Sequence, residues 1–229
     1  MVYEIKGLAH SLKLNFMDFL DSKIQDYADK YTSPESDVLR ELNEDTHANV
    51  ASPNMLSGHI QGRILAMISK MIKPKYILEI GTYTGYSAIC LCEGLEFGGR
   101  LITIDINSDM EAINEKYFDK AGVSGKIKKL TGNALELIPK LDHGIDLVFI
   151  DADKTNYASY YDMVFDKMNA GGIILADNVL WSGKVLLEEK DMDDDTKALA
   201  KFNEKIMNDN RVENILLPVR DGLMVIRKK

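Results

Sequence analysis

The apolar positions along the chain change their period near residue 76. Upstream, Leu12, Phe16, Phe19 and Leu20 are spaced for one face of a helix, and Ile60, Ile64, Leu65 and Ile68 repeat that spacing before Pro74 breaks it. Between them Ser33-Pro34-Glu35 reads as a helix start, because proline fits a first turn whose amide needs no partner. Downstream the texture becomes short β-rich runs: YILEI (76–80), LITIDI (101–106), KIKKL (126–130), IDLVFI (145–150) and GIILA (172–176). Amphipathic stretches around 85–94, 108–120, 134–140 and 155–168 separate them. Strand and helix in alternation predict an α/β fold, a parallel sheet with helices on both faces, since each right-handed crossover brings the chain back in the same direction. A helix near 194–209 is followed by VENILLPV (212–219) and LMVIRK (223–228) around Arg220-Asp221-Gly222. That pair reads as a hairpin, an antiparallel end to the sheet. No repeat or Pro/Gly/Ser linker interrupts the chain, so residues 1–229 read as one domain, helical over 1–72 with an α/β core over 76–229.

Composition narrows the class without changing this picture. The 28 Lys and Arg against 36 Asp and Glu give a net charge of −8 over 229 residues, with 45% hydrophobic residues. Ample apolar surface excludes a disordered chain. The acidic balance argues against broad electrostatic capture of nucleic acid or anionic lipid, though a local basic patch can escape a whole-chain sum. Cys90 and Cys92 cannot form a disulfide framework, which fits a reducing compartment. With no secretory signal texture and no apolar run long enough to cross a bilayer, a cytoplasmic protein is expected.

In open α/β sheets ligands bind beyond the carboxyl ends of the strands, so the residues that follow each strand carry the information. Glu79-Ile80-Gly81-Thr82-Tyr83-Thr84-Gly85-Tyr86-Ser87 leaves the first strand and enters a helix, with Gly81 and Gly85 permitting a tight turn and close approach of a ligand. It is neither a P-loop nor the dinucleotide G-x-G-x-x-G, which favours a ligand without a pyrophosphate. Asp105 ends the second strand at the distance where an acid accepts ribose hydroxyls, or else caps a helix. Asn133-Ala134 after the third strand reads equally as a frame for an adenine or as an N-cap.

The fourth strand ends in Asp151-Ala152-Asp153-Lys154 and the fifth in Asp177-Asn178. Asp151, Asp177 and Asn178 offer oxygen only, which suits Mg²⁺, Mn²⁺ or Ca²⁺ and disfavours zinc; the four histidines are scattered. Ordinary helix capping accounts for most isolated acids after strands, but clustered carboxylates at one sheet edge are costly without a cation. Lys154, most simply a solvated charge, lies close enough to serve as a general base whose pKa a neighbouring cation would lower.

These blocks together resemble a known family. EIGTYTGYS (79–87), LITIDI (101–106), FIDADKTNY (149–157), GGIILADNVLWSGKV (171–185) and LPVRDGLMVIRK (217–228) are similar to the cation-dependent class I S-adenosylmethionine O-methyltransferases of the caffeoyl-CoA and catechol type. The resemblance covers residues 55–229, and the D-x-D-K-x-N-Y and D-N-x-L-W-x-G blocks are its specific part. It implies a Rossmann-like class I methyltransferase fold with seven strands, the last antiparallel, and a homodimer. By position it implies Asp151, Asp177 and Asn178 as metal ligands and Lys154 as catalytic base. Met55, Ser57, Glu79, Gly81, Ser87, Asp105, Ala134 and Asp151 would hold S-adenosylmethionine. The segment SPNMLSGHIQGRIL departs from the acidic texture of the plant enzymes at Met55 and Ser57. Trp181 stands in the loop expected to line the acceptor pocket, or is a buried anchor.

The expected reaction is methyl transfer to one hydroxyl of a catechol-like small molecule. Two alternatives remain at this point. One is hydroxyuridine in tRNA as acceptor, for which Lys126, Lys128, Lys129, Arg220, Arg227, Lys228 and Lys229 are the candidate basic patch. The other is a non-catalytic S-adenosylmethionine-binding protein, which would need none of the Asp151, Asp177, Asn178 and Lys154 set.

Overall fold

The computed structural model describes residues 21–229, so the helical face read over residues 12–20 lies outside the described residues. The helices are α1 (Ser22–Lys30), α2 (Asp37–Asn49), α3 (Gly58–Ile72), α4 (Tyr86–Cys92), α5 (Glu111–Lys120), α6 (Ala134–Leu137), α7 (Tyr157–Phe165) and α8 (Asp194–Met207). The strands are β1 (Tyr76–Ile80), β2 (Arg100–Asp105), β3 (Ile127–Thr131), β4 (Ile145–Ile150), β5 (Met168–Asp177), β6 (Val212–Leu217) and β7 (Leu223–Lys228). They form one sheet in the order β3-β2-β1-β4-β5-β7-β6, in which β7 alone runs against its neighbours. The expected hairpin is present, with its second strand inserted between β5 and β6. Among the described residues no helix is long and apolar enough to cross a membrane.

Boundaries moved where capping chemistry overrides composition. Helix α2 starts at Asp37, two residues beyond the expected Ser33-Pro34-Glu35 signal, because Ser36 takes an extended conformation and its hydroxyl accepts from the Leu39 amide. Helix α3 ends where Lys73 turns left-handed at φ 53° just before Pro74. Strand β6 stops at Leu217 because Pro218 has no amide to continue the ladder. Strand β5 extends beyond GIILA to ten residues, and the stretch after it forms a 3-10 segment, Trp181–Leu186, with left-handed breaks at Ser182 and Gly183.

Both sheet faces are covered, which is why the inner strands read as continuous apolar runs instead of alternating. Leu78, Ile80, Val148 and Ile150 pack with Tyr157, Tyr161 and Phe202 on one face. Ile77, Leu147, Phe149 and Leu175 pack on the other with Leu39, Leu65, Tyr86 and Leu91. The register then lines up the strand ends: Ile80 pairs with both Ile104 and Ile150, and Ile150 pairs with Ala176. One residue farther along each strand stand Gly81, Asp105, Asp151 and Asp177, a row along one edge of the sheet. The basic residues named above cannot form one patch, since β3 and the β7-β6 pair are opposite edges. Arg227 is paired with Glu213, and Lys228 donates to the Phe165 and Met168 carbonyls.

Helix α3 reaches that edge by packing closely on α4. An added Cβ at Gly62 would stand 2.6 Å from the Tyr86 ring and 2.9 Å from the Cys90 sulfur. Gly62→Ala should therefore destabilise the fold by about 1–3 kcal/mol, less the helix-propensity gain of up to about 1 kcal/mol. Urea unfolding checks this, and an unchanged or raised midpoint contradicts it.

Candidate active site

The glycine loop is built against β4 and β2. Gly81 sits at φ 100°, and a Cβ there would lie 1.9 Å from the Asp151 carbonyl oxygen, so only glycine allows the two strand ends to approach. The Gly81 amide donates to the Ile104 carbonyl, and the Asp151 amide donates to the Ile80 carbonyl. Asp105 accepts from the Thr82 and Tyr83 amides at 2.9 and 2.8 Å through Oδ2 and from the Asn107 amide at 2.9 Å through Oδ1. It thereby holds the loop shape and remains half-exposed toward the same edge. The Tyr83 hydroxyl donates to the Ala51 and Ser52 carbonyls at 3.2 Å, tying the loop to the segment that leads into α3.

Glu79 points from β1 into the layer beneath this loop and is fully buried. Thr103 donates to its Oε2 at 2.6 Å and Ser87 also hydrogen-bonds to it, while Oε1 has no partner among the described residues. Burial, with the Asp151 and Asp105 charges adding to it, pushes its pKa from 4.5 up to about 8 against those hydrogen bonds. Ser87 and Ala134 are buried, Ser57 is buried at the start of α3, and Met55 is exposed in a 3-10 turn, Pro53–Met55. Asn133 accepts from the Leu135 amide at 2.9 Å, so it does cap α6; the buried Ala134 follows it at the strand edge.

The second half of the site surrounds Lys154, which is 8% exposed in a short 3-10 turn, Lys154–Asn156. Its Nζ donates to Asp151 Oδ1 at 3.1 Å, Asn178 Oδ1 at 2.9 Å and the Tyr157 hydroxyl at 2.7 Å. Tyr157 in turn donates to the Asp177 carbonyl at 3.0 Å, so all three donors of the lysine are used and its position is fixed. The Asp177 carboxylate is 4% exposed and accepts from Gln61 Nε2 at 2.6 Å. Burial raises its pKa to about 6, with the Asp151 charge acting in the same direction and Gln61, Arg220 and Lys154 acting against it.

This donor set fits a hard divalent cation. Asp151, Asp177 and Asn178 contribute two carboxylates and an amide oxygen from adjoining strand ends, with Asp177 buried and Asp151 partly exposed. Among the described residues no group of three or more His, Cys, Asp or Glu forms a metal cluster, so the set depends on the Asn178 amide. Asn178 is held at φ 59°, a left-handed conformation that asparagine tolerates. The loop beyond it is clamped by the β6–β7 turn: the Val179 and Leu180 amides donate to the Gly222 and Asp221 carbonyls, and the Ser182 amide donates to the Asp221 carboxylate. Trp181 packs partly buried against the core with its ring 5.6 Å from Lys154 Nζ, and its indole N–H has no partner among the described residues.

The structure thus brings together Glu79, Gly81, Ser87, Asp105, Asp151, Lys154, Asp177 and Asn178 along one sheet edge. Tyr157 and Gln61 join them without a role assigned from sequence, and Arg220, read from sequence only as part of a basic patch, joins them too. A tyrosine three residues after Lys154 was a visible signal, as was a lone glutamine among Ile60, Ile64 and Leu65 on a mostly apolar helix.

The O-methyltransferase family model matches residues 29–229. The chain belongs to the O-methyltransferase family. Curated relatives include a caffeoyl-CoA O-methyltransferase of Stellaria longipes, 33% identical over 85% of this chain and 84% of the relative. A probable caffeoyl-CoA O-methyltransferase of Dictyostelium discoideum is 31% identical over 91% of this chain and 93% of its own. Among solved structures, the SAH-bound methyltransferase PaMTH1 of Podospora anserina superposes over all of both chains with a TM-score of 0.84 at 30% identity. An O-methyltransferase of Bacillus cereus in complex with SAH covers 90% of this chain and 97% of its own, with a TM-score of 0.82 at 27% identity. The family's reaction class, O-methyl transfer, and its Rossmann-like seven-stranded fold agree with the resemblance read from the motifs.

Glu79 gives a pH test. Its folded-state pKa of about 8 exceeds its ordinary 4.5, so between those values the native chain holds a proton that the unfolded chain releases. Its contribution to stability is full below pH 4.5 and falls as pH rises toward 8. Glu79→Gln should flatten this part of the stability–pH curve, measured by urea unfolding; parallel curves for the two proteins refute the assignment.

Proposed function

We propose that this chain methylates one hydroxyl of a catechol-like small molecule, with S-adenosylmethionine as donor and a divalent cation, most simply Mg²⁺, at Asp151, Asp177 and Asn178. The observation that carries the reading is the three-oxygen cradle around Lys154 Nζ, which joins a proton acceptor to two of the candidate ligands. A cation there supplies Lewis acidity that lowers the acceptor hydroxyl's pKa, about 10 for a phenol. The sulfonium methyl group is the part transferred and the thioether SAH is the leaving group; family relatives solved with SAH support that choice of donor.

The chain's own residues then divide the work. Gly81 lets the donor approach the loop backbone, Asp105 faces the ribose, and Ala134 borders the adenine. Glu79 and Ser87 support the loop from beneath, Asp151 faces both donor and metal, and Met55 and Ser57 close the near side. Lys154 takes the hydroxyl proton as the new O–CH₃ bond forms and the S–CH₃ bond breaks. To do so it acts as the neutral amine: the ammonium first gives up one of its three N–H protons to solvent, which frees a lone pair for the acceptor hydroxyl while the Tyr157 contact keeps the nitrogen in place. Trp181 forms an apolar wall near Lys154, which keeps water from the developing charge. The same reading makes residues 1–229 one catalytic domain, a homodimer, acting in the cytoplasm on a diffusible acceptor.

The test is transfer from a labelled methyl donor with Mg²⁺ to a panel of caffeoyl thioesters, simple catechols and undermodified tRNA. Catechol labelling should be abolished by EDTA and by Asp151→Ala, and Lys154→Ala should lower kcat by about 10²-fold or more. Activity that survives EDTA removes the cation, and labelling of tRNA alone replaces the acceptor.

A further inference from the structure

The turn between β6 and β7 closes with the Gly222 amide donating to the Val219 carbonyl at 2.9 Å. Arg220 occupies its first central position at φ 50°, where turn geometry favours glycine. The side chain accounts for the exception. Although Arg220 is exposed as a residue, its guanidinium makes three hydrogen bonds: Nη1 donates to the Ser57 carbonyl and, at 2.6 Å, to Gln61 Oε1, and Nη2 donates to the Leu56 carbonyl at 3.2 Å. Gln61 passes the interaction on through Nε2 to Asp177 Oδ2 at 2.6 Å. The amide is thereby oriented with its oxygen on the arginine and its nitrogen on the carboxylate, each end fixed by a charged partner.

We infer that Arg220 and Gln61 are positioning residues that set the Asp177 carboxylate and the Leu56 and Ser57 backbone as one unit, so that the donor-side segment and the metal-side ligand are aligned together. The inference rests on the reading of Asp177 as a metal ligand. Three separate parts of the chain meet in this relay: the lead-in to α3, the end of β5 and the β6–β7 turn. Without Gln61, Asp177 loses the side-chain hydrogen bond that, among the described residues, aims its buried Oδ2; without Arg220, Gln61 is free to turn its amide over. The left-handed arginine stands at a candidate site, as strained residues elsewhere do, with its side chain on the Leu56, Ser57 and Gln61 groups.

The arginine can be removed cleanly. Arg220→Gly keeps the turn's φ while deleting the guanidinium, and Gln61→Leu keeps the size of the relay's middle member. Two readouts are taken on the full chain: calorimetric Mn²⁺ binding without donor or acceptor, and amide hydrogen exchange over residues 55–62. Each single variant should weaken Mn²⁺ binding by about 10–100-fold, the usual effect of removing a partner that orients a ligand. Each should also speed exchange over 55–62. The double variant should be no worse than the poorer single one, because both break the same chain of contacts. Unchanged exchange, or losses that add, overturns the relay. If the wild-type protein binds no Mn²⁺, the metal reading fails by itself, and the exchange result with its non-additivity decides the relay alone.

Discussion

The pairing of β4 with β5 in parallel register is the constraint from which the site follows. Because Ile150 stands beside Ala176, the next residue on each strand is an aspartate, and neither can leave without slipping the core-facing apolar residues behind it. Two carboxylates are thus held together by the packing of the sheet. Asp177 is buried and Asp151 is not, which separates their surroundings and leaves the pair in need of a positive partner. Lys154 meets that need in part, and its location three residues past Asp151 is what allows a short 3-10 turn to bring its ammonium back over the strand end.

The glycine loop obeys the same constraint from the other side. β1 lies between β2 and β4, so Gly81 touches the Asp151 carbonyl while the loop that follows takes its shape from Asp105. A donor seated on this loop and a cation seated beyond β4 would be neighbours without any flexible segment to bring them together. Such prior placement is how a protein supplies orientation in a transfer between two bound partners.

Much of this was legible before the fold was known. The runs at 76–80, 145–150 and 223–228 keep the same bounds as strands, because continuous apolar residues between turn signals leave few alternatives. The strand-end acids were legible because a parallel sheet always gathers those positions. Local capping was less so: Ser33 and Ser36 are alike in composition, and only the latter's extended backbone makes it the cap. The relay from Arg220 through Gln61 to Asp177 spans sequence separations of 159 and 116 residues, beyond any periodic signal. The acidic net charge also misled in part, since it bears on partners only after the acids that hold the glycine loop and the proposed cation site are set aside.

The position of β7 has a further consequence for how the molecule is made. The strand that covers the open edge of β5 is not β6, which comes before it, but β7, the last of the sheet's strands to leave the ribosome. Until residues 223–228 emerge, a nascent chain presents β5 with an unpaired, largely apolar edge, the kind of surface that chaperones shield and that other nascent strands can capture. The turn carrying Arg220 emerges just ahead of β7, so sealing the sheet and assembling the catalytic edge are one late event in synthesis.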